Sequence, residues 1–197
     1  MSRTSKDPIS AHLALSRDAL ERAALDTGLL DTARKIADVS VSALRGGDKL
    51  LLAGNGGSAA DAQHIAAEIV GRYKKDRPAY AAIALTTDTS ALTAIGNDYG
   101  FEQIFARQVE GLGRRGDILL VFSTSGRSAN ILAALKVARQ LGLVTVGFTG
   151  SKGTDMAAFC DHLLVAPSDE TAVIQQIHLT FAHGICDVIE QTLMRGA

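Results

Sequence analysis

Apolar positions recur at helical spacing from Pro8 to about Gly28 and again from Leu29 to Leu44, where Leu29/Leu30, Ala33, Ile36/Ala37, Ser40 and Leu44 share one face. Gly46-Gly47 stops this second helix. Beyond it the pattern changes to short apolar runs bounded by Gly, Ser, Thr and Asp: Lys49–Ala53, Tyr80–Leu85, Asp117–Phe122, Leu143–Phe148 and His162–Val165. Continuous apolar runs of this length predict strands buried on both faces. Helical stretches separate them: Ser58–Arg72, Ser90–Ala94 with Phe101–Leu112, Ala129–Leu141, a short one at Thr154–Phe159 and a long closing one from Glu170 to Met194. Alternating strand and helix implies parallel strands joined by right-handed crossovers. The expected fold is therefore a three-layer α/β sandwich on a five-stranded parallel sheet, with extra N-terminal helices. No repeat, low-complexity tract or linker divides the chain. It reads as one domain over 1–197, with helices in 1–47 and the sandwich in 48–197.

Composition narrows the function classes. The 197 residues carry 20 Lys+Arg against 21 Asp+Glu, a formal charge of −1, so the electrostatic footprint of a nucleic-acid binder is missing. With no Trp, three Tyr and six Phe, base-stacking platforms are not expected either. Gly, Asp, Asn and Ser interrupt every apolar run short of a membrane span. The first eight residues lack the apolar stretch of a signal peptide, which predicts a cytoplasmic location. Cys160 and Cys186 stand far apart, which argues against disulfide frameworks and cysteine-rich zinc modules.

In open parallel sheets, ligands sit beyond the carboxyl ends of the strands, so the loops there are read first. Two are rich in small residues and open a helix: Gly54-Asn55-Gly56-Gly57-Ser58 after the first strand, and Ser123-Thr124-Ser125-Gly126-Arg127-Ser128 after the third. Unpaired first-turn N–H groups and the positive end of a helix dipole favour an anion, so Ser123, Thr124, Ser125 and Ser128 suit a phosphate monoester. The alternative is that Ser128 merely caps its helix and the other hydroxyls close a turn. Gly54 to Ala59 also satisfies G-x-G-x-x-A. A dinucleotide site would need an acidic residue at the end of the second strand, which instead reads Leu85-Thr86-Thr87.

His64 and Glu68 stand four apart on the helix after the first loop, so they can converge on one metal or substrate atom, or form an ordinary surface pair. The last helix sets Gln175, Gln176, His178 and His183 among Val173, Ile174, Ile177, Leu179, Phe181, Ile185 and Val188. Polar groups in such a setting need partners or a cleft. His178 reads as a satisfied structural histidine.

Four separated motifs then fall into register: Gly54-Asn55-Gly56-Gly57-Ser58 through His64, Glu68 and Arg72; Gly96-Asn97-Asp98; Ser123 through Ser128; and Gln175 through His183. Together they resemble the sugar isomerase (SIS) domain family, and within it the branch acting on sedoheptulose 7-phosphate. The resemblance implies a flavodoxin-like sheet and conversion of D-sedoheptulose 7-phosphate to D-glycero-D-manno-heptose 7-phosphate, the first step of bacterial heptose synthesis for lipopolysaccharide or capsule. It implies that Ser123, Thr124, Ser125 and Ser128 hold the phosphate, and that Asn55, Gly56, Gly57, Asn97, Asp98, Glu68 and Gln175 hold the sugar. His64, Glu68, Gln175 and His183 match zinc ligands, one zinc per subunit, and Glu68 with His183 match the acid/base pair. It also suggests a homotetramer. One position departs from the pattern: many members carry an acidic residue three before the glutamine of the last helix, where this chain has Ala172, with Glu170 the nearest carboxylate.

The chemistry suits these residue types. Moving a proton between C1 and C2 through an enediol(ate) needs a base, an acid and a means of stabilising an oxyanion. Gln175 and His183 are eight residues apart, about 12 Å along a straight helix, which is awkward for one ion gripped from one copy. The expectation is an active site at a subunit interface. The competing reading is a non-catalytic SIS-domain protein that binds a sugar phosphate or the bacterial replication initiator. Such a protein would have no need of a base beside an acid over a phosphate cradle.

Overall fold

The computed structural model describes residues 7–195. Two helices lead: α1 (Pro8–Leu25) and α2 (Thr27–Arg45). Asp7 caps α1 by accepting from the Ser10 N–H at 2.9 Å, with Pro8 in the first turn, where its missing N–H costs nothing. The break to α2 falls at Asp26 and not at the expected Gly28/Leu29 boundary. Asp26 ends α1 in an extended conformation and its carboxylate caps α2 through the Leu29 N–H at 3.0 Å.

The rest alternates: β1 (Leu50–Gly54), α3 (Gly57–Val70), β2 (Ala82–Ala84), α4 (Thr89–Tyr99), a 3₁₀ turn, α5 (Ala106–Leu112), β3 (Ile118–Phe122), α6 (Ala129–Leu141), β4 (Val144–Gly150), a second 3₁₀ turn (Thr154–Phe159), β5 (His162–Ala166) and α7 (Thr171–Met194). All five strands are parallel, in the order β2-β1-β3-β4-β5. The predicted three-layer sandwich is the observed one. β2 is shorter than the predicted Tyr80–Leu85 because it is an edge strand, paired only with β1 from Leu50↔Ala82 to Leu52↔Ala84. α4 is longer than predicted, since Asp88 caps it at Ala91 and it runs on to Tyr99, so Asn97 and Asp98 are helical.

Period-two alternation divides the core. Leu50 and Leu52 of β1 and Ile118, Leu120 and Phe122 of β3 pack with α1, α2, α3 and α7. Leu51, Ala53, Leu119 and Val121 face the other way, onto α5 and α6. Both faces are covered, as the unbroken apolar runs require. β1 and β3 are neighbours whose outgoing helices, α3 and α6, lie on opposite faces, which opens a crevice between their loops.

Candidate active site

The two loops at that crevice are bound to each other. Asn55, after β1, and Asn130, in the first turn of α6, exchange reciprocal amide hydrogen bonds of 2.9 Å, and Asn130 is buried. Gly54 must be glycine because a Cβ there would strike the Ser58 carbonyl as the chain turns into α3. In the second loop Gly126 has φ +63°, and a Cβ would run into the backbone of Gly153. This keeps the loop tight. Ser128 occupies the N-cap position of α6 but its hydroxyl makes no capping bond. Its Oγ lies 3.2 Å from that of Ser123 instead, so the capping alternative fails for the side chain. Ser125 Oγ accepts from the Arg127 N–H at 3.2 Å, Thr124 is half-buried and Ser125 exposed. Serine hydroxyls and first-turn N–H groups therefore converge where α6 begins.

The second constellation lies along the seam between α3 and α7, which both start at the carboxyl edge of the sheet and run side by side. Ligand atoms of His64, Glu68 and His183 all fall within 4.8 Å of one another. The Nε2 atoms of His64 and His183 are 2.8 Å apart, and His64 Nε2 is 3.3 Å from Glu68 Oε1. Tyr73 stacks on His183 with ring centroids 5.5 Å apart and planes 23° from parallel. Burial, and then the adjacent His64, hold the His183 imidazole below its ordinary range, with Glu68 working the other way. Asp61, one turn before His64, is pushed up by burial, and its Oδ2 has no partner.

Gln175 is two turns away from His183 on α7 and sits against Gly57: a Cβ on Gly57 would come within 2.6 Å of its amide. Three of the four expected metal-ligating residues thus meet inside one chain, which the helical spacing did not anticipate, while Gln175 rests at the start of α3. Gly56 and Gly57 form the exposed turn into α3, with φ +58° at Gly56. Asn97 and Asp98 are exposed at the end of α4, the Asn97 amide donating to Asp98 at 2.8 Å. Glu170 stands at the N-cap of α7 without a capping bond. His178 is buried against Phe122 and Phe148 and its Nε2 donates to the Thr149 carbonyl at 3.1 Å, a structural role as expected, but it is only half satisfied, since its Nδ1 has no partner.

Four residues escaped the sequence reading. Asn130 was visible only as one more loop residue. Glu190 and Arg77, a buried pair, and the half-buried Tyr73 form a clamp behind His183. The signal was present in Glu190, a lone carboxylate between Ile189 and Leu193 on the apolar side of α7.

Comparison with known proteins fits this geometry. The SIS domain family matches residues 16–150. The chain is 70% identical over 189 residues to a phosphoheptose isomerase of Bradyrhizobium sp. (strain ORS 278), covering 96% of each protein. Among solved structures it superposes on a phosphoheptose isomerase from Francisella tularensis with a TM-score of 0.90 at 40% identity, covering 95% of this chain and 99% of that one. A phosphoheptose isomerase from Neisseria gonorrhoeae gives 0.87 at 45% identity, covering 93% and 97%.

Proposed function

The chain belongs to the SIS domain family, among its phosphoheptose isomerases, and from that premise we propose that it converts D-sedoheptulose 7-phosphate to D-glycero-D-manno-heptose 7-phosphate. The observation that carries the reading is the meeting of Glu68 and His183 on one seam, with a hydroxyl-lined helix terminus at the neighbouring crevice. An aldose–ketose isomerase needs that pairing, since a binding module has no use for a base beside an acid. Ser123, Thr124, Ser125 and Ser128 take the phosphate at the start of α6. Asn55, Gly56, Gly57, Asn97, Asp98 and Gln175 take the sugar. Glu68 removes a C1 proton and returns it to C2, while His183 gives a proton to the C2 carbonyl oxygen and takes one from the C1 hydroxyl, so the pair moves hydrogen across an enediol(ate) without any group leaving. His64 to Gly57 spans about 10 Å of α3, which suits a seven-carbon chain running from reacting carbons beside His64 past Gly57 toward the crevice where the loop before α6 takes the phosphate.

His64, Glu68 and His183 offer two imidazole nitrogens and one carboxylate oxygen, the donor set of an open catalytic zinc site, and we assign zinc to these three; Gln175, two turns along α7 beside Gly57, would join them as a further ligand only from a second copy of the chain. Bound there, zinc would supply Lewis-acid polarisation of the substrate carbonyl. We further propose that the chain works as one domain in a cytoplasmic homotetramer with interfacial active sites, its product feeding heptose for lipopolysaccharide or capsule. Support for assembly comes from an apolar groove of about 290 Å³ between α1, α2 and α7, lined by Leu20, Ala24, Leu30, Phe181 and Val188, and from the exposure of Ile9 and Leu13 on α1. Two unpaired thiols, Cys160 and Cys186, suit a reducing compartment. No helix among the described residues is long and apolar enough to cross a membrane.

The test is a discontinuous assay on the purified chain with sedoheptulose 7-phosphate, before and after chelation and zinc addition. Turnover that falls on chelation and returns with zinc is expected. Binding of the sugar phosphate without turnover under any condition would replace the isomerase reading with the non-catalytic one.

A further inference from the structure

Behind the His64/Glu68/His183 cluster lies a buried ion pair that touches none of the reacting groups. Glu190 of α7 and Arg77, in the segment between α3 and β2, are joined at 3.3 Å with both side chains only 1% exposed. Glu190 collects main-chain donors as well. Its Oε1 accepts from the Lys74 and Lys75 N–H groups at 3.0 and 2.8 Å, and its Oε2 from the Tyr73 N–H at 3.0 Å. Burial opposes the charge, but these N–H groups and Arg77 outweigh it and hold the Glu190 carboxyl below the usual range. Arg77 in turn donates to the carbonyls of Ile69 and Pro78 at 3.0 Å and, at 2.7 Å, to the carbonyl of Glu68 itself.

Replacing a buried ion pair by well-packed apolar residues is often neutral or stabilising, so stability alone is a weak reason for this one. What it delivers is geometry. Through Arg77 it ties down the last turn of α3, at the residue that carries the Glu68 side chain. Through the three N–H groups it fixes the main chain of Tyr73, whose ring lies on His183. His183 is half-buried, and among the described residues its one side-chain hydrogen-bond partner is His64. Lys74, held by Asp187 at 2.8 Å, lies 4.8 Å from the Tyr73 ring centroid and adds weight to that ring's placement.

We propose that Tyr73 is a positioning residue, clamped by the Glu190–Arg77 pair, that sets the ring plane of His183 relative to Glu68 for proton transfer. This rests on the acid/base assignment of Glu68 and His183 above. The role is carried by the face of the Tyr73 ring. Its hydroxyl has no part in it.

The experiment compares wild type with Tyr73→Phe, Tyr73→Ala and Glu190→Gln. Steady-state kinetics with sedoheptulose 7-phosphate are read beside the side-chain resonances of the histidines, with His183 assigned by the signal missing from His183→Gln. Tyr73→Phe keeps kcat within about twofold and keeps the upfield ring-current shift of His183. Tyr73→Ala loses that shift, and kcat falls about 10–100-fold with KM little changed, as expected when a reacting group is misplaced without loss of substrate contacts. Glu190→Gln moves both readouts in the same direction by less. A Tyr73→Ala protein with wild-type kcat, or with an unmoved His183 resonance, overturns the proposal, as does a loss confined to KM. A wild-type chain that fails to isomerise the sugar would overturn the functional reading instead, and the His183 resonance would still decide whether Tyr73 sets the ring.

Discussion

The Nε2 atoms of His64 and His183 face each other at 2.8 Å, and only one of them can carry a proton there. Burial, and then the neighbouring ring, hold the His183 imidazole below its ordinary range, with Glu68 opposing. A metal ion held by both Nε2 atoms would take the place of the hydrogen between them, which would move to Nδ1. Protons and zinc therefore compete for the same ring nitrogens, and the zinc affinity of the chelated protein, read by calorimetric titration, is expected to weaken as pH falls. A zinc affinity that does not change with pH would place the ion elsewhere.

Glu68→Gln is close to isosteric and keeps a polar atom beside His64. The fold and the affinity for sugar phosphate should persist, while kcat drops by about 10²–10⁴, the contribution typical of one general base. Near-normal turnover in this variant would remove Glu68 as the base. Single-turnover measurements separate this loss from slow product release.

Ser125→Ala removes one hydroxyl from the second loop without touching the α3–α7 seam. KM should rise several-fold with kcat nearly constant, a loss of about 1 kcal/mol of binding. Inorganic phosphate as a competitive inhibitor should weaken in parallel, and unchanged inhibition would show that the phosphate binds away from this loop.

Much of this was legible in the sequence because it depends on local pattern. Every strand of the sandwich and most of its helices follow from apolar period and turn residues, since burial on both faces of a parallel sheet leaves unbroken apolar runs, whereas the helix expected over Phe101–Leu112 is a 3₁₀ turn at Phe101–Gln103 followed by the shorter α5. The errors sit where long-range pairing or a competing helix cap decides. β2 shrinks to Ala82–Ala84 because only β1 flanks it, and the α1–α2 break moves to Asp26 because a capping carboxylate outcompetes the nearby glycine. The site was read as motifs, and motifs do not carry distances. Eight residues along α7 argued correctly that Gln175 and His183 are far apart, but could not show that α3 runs alongside and brings His64 and Glu68 to His183. The Tyr73–Arg77–Glu190 clamp went unseen because Glu190 lies more than a hundred residues from its partners and most of the links run to main-chain atoms.

Asn130 supplies a further test of the crevice. Asn130→Ala strips the reciprocal partner from Asn55 and leaves a part-buried amide unpaired, at a cost of about 1–3 kcal/mol. In a domain of this size that lowers the melting midpoint by about 2–4 °C per kcal/mol. Asn130→Asp should be worse at neutral pH, because a carboxylate oxygen would then face the Asn55 carbonyl oxygen. If both variants melt with the wild type, the amide pair does not hold the loops together.

His178 predicts how stability depends on pH. It is fully buried against Phe122 and Phe148, its Nε2 bonded to the Thr149 carbonyl and its Nδ1 without a partner. Burial pushes its pKa down to about 4, from 6.5 in a free side chain, with the Thr149 bond opposing. Between those values the unfolded chain binds the proton and the folded chain does not. The stability that His178 contributes is therefore complete above pH 6.5 and is lost as pH falls toward 4, with a slope of up to about 1.4 kcal/mol per pH unit. His178→Gln keeps a donor for Thr149 and removes the titration. Urea unfolding of both proteins across this window should give curves that converge on acidification, the wild type losing its advantage as the variant holds. Parallel curves would mean that His178 takes up its proton equally well in the folded state.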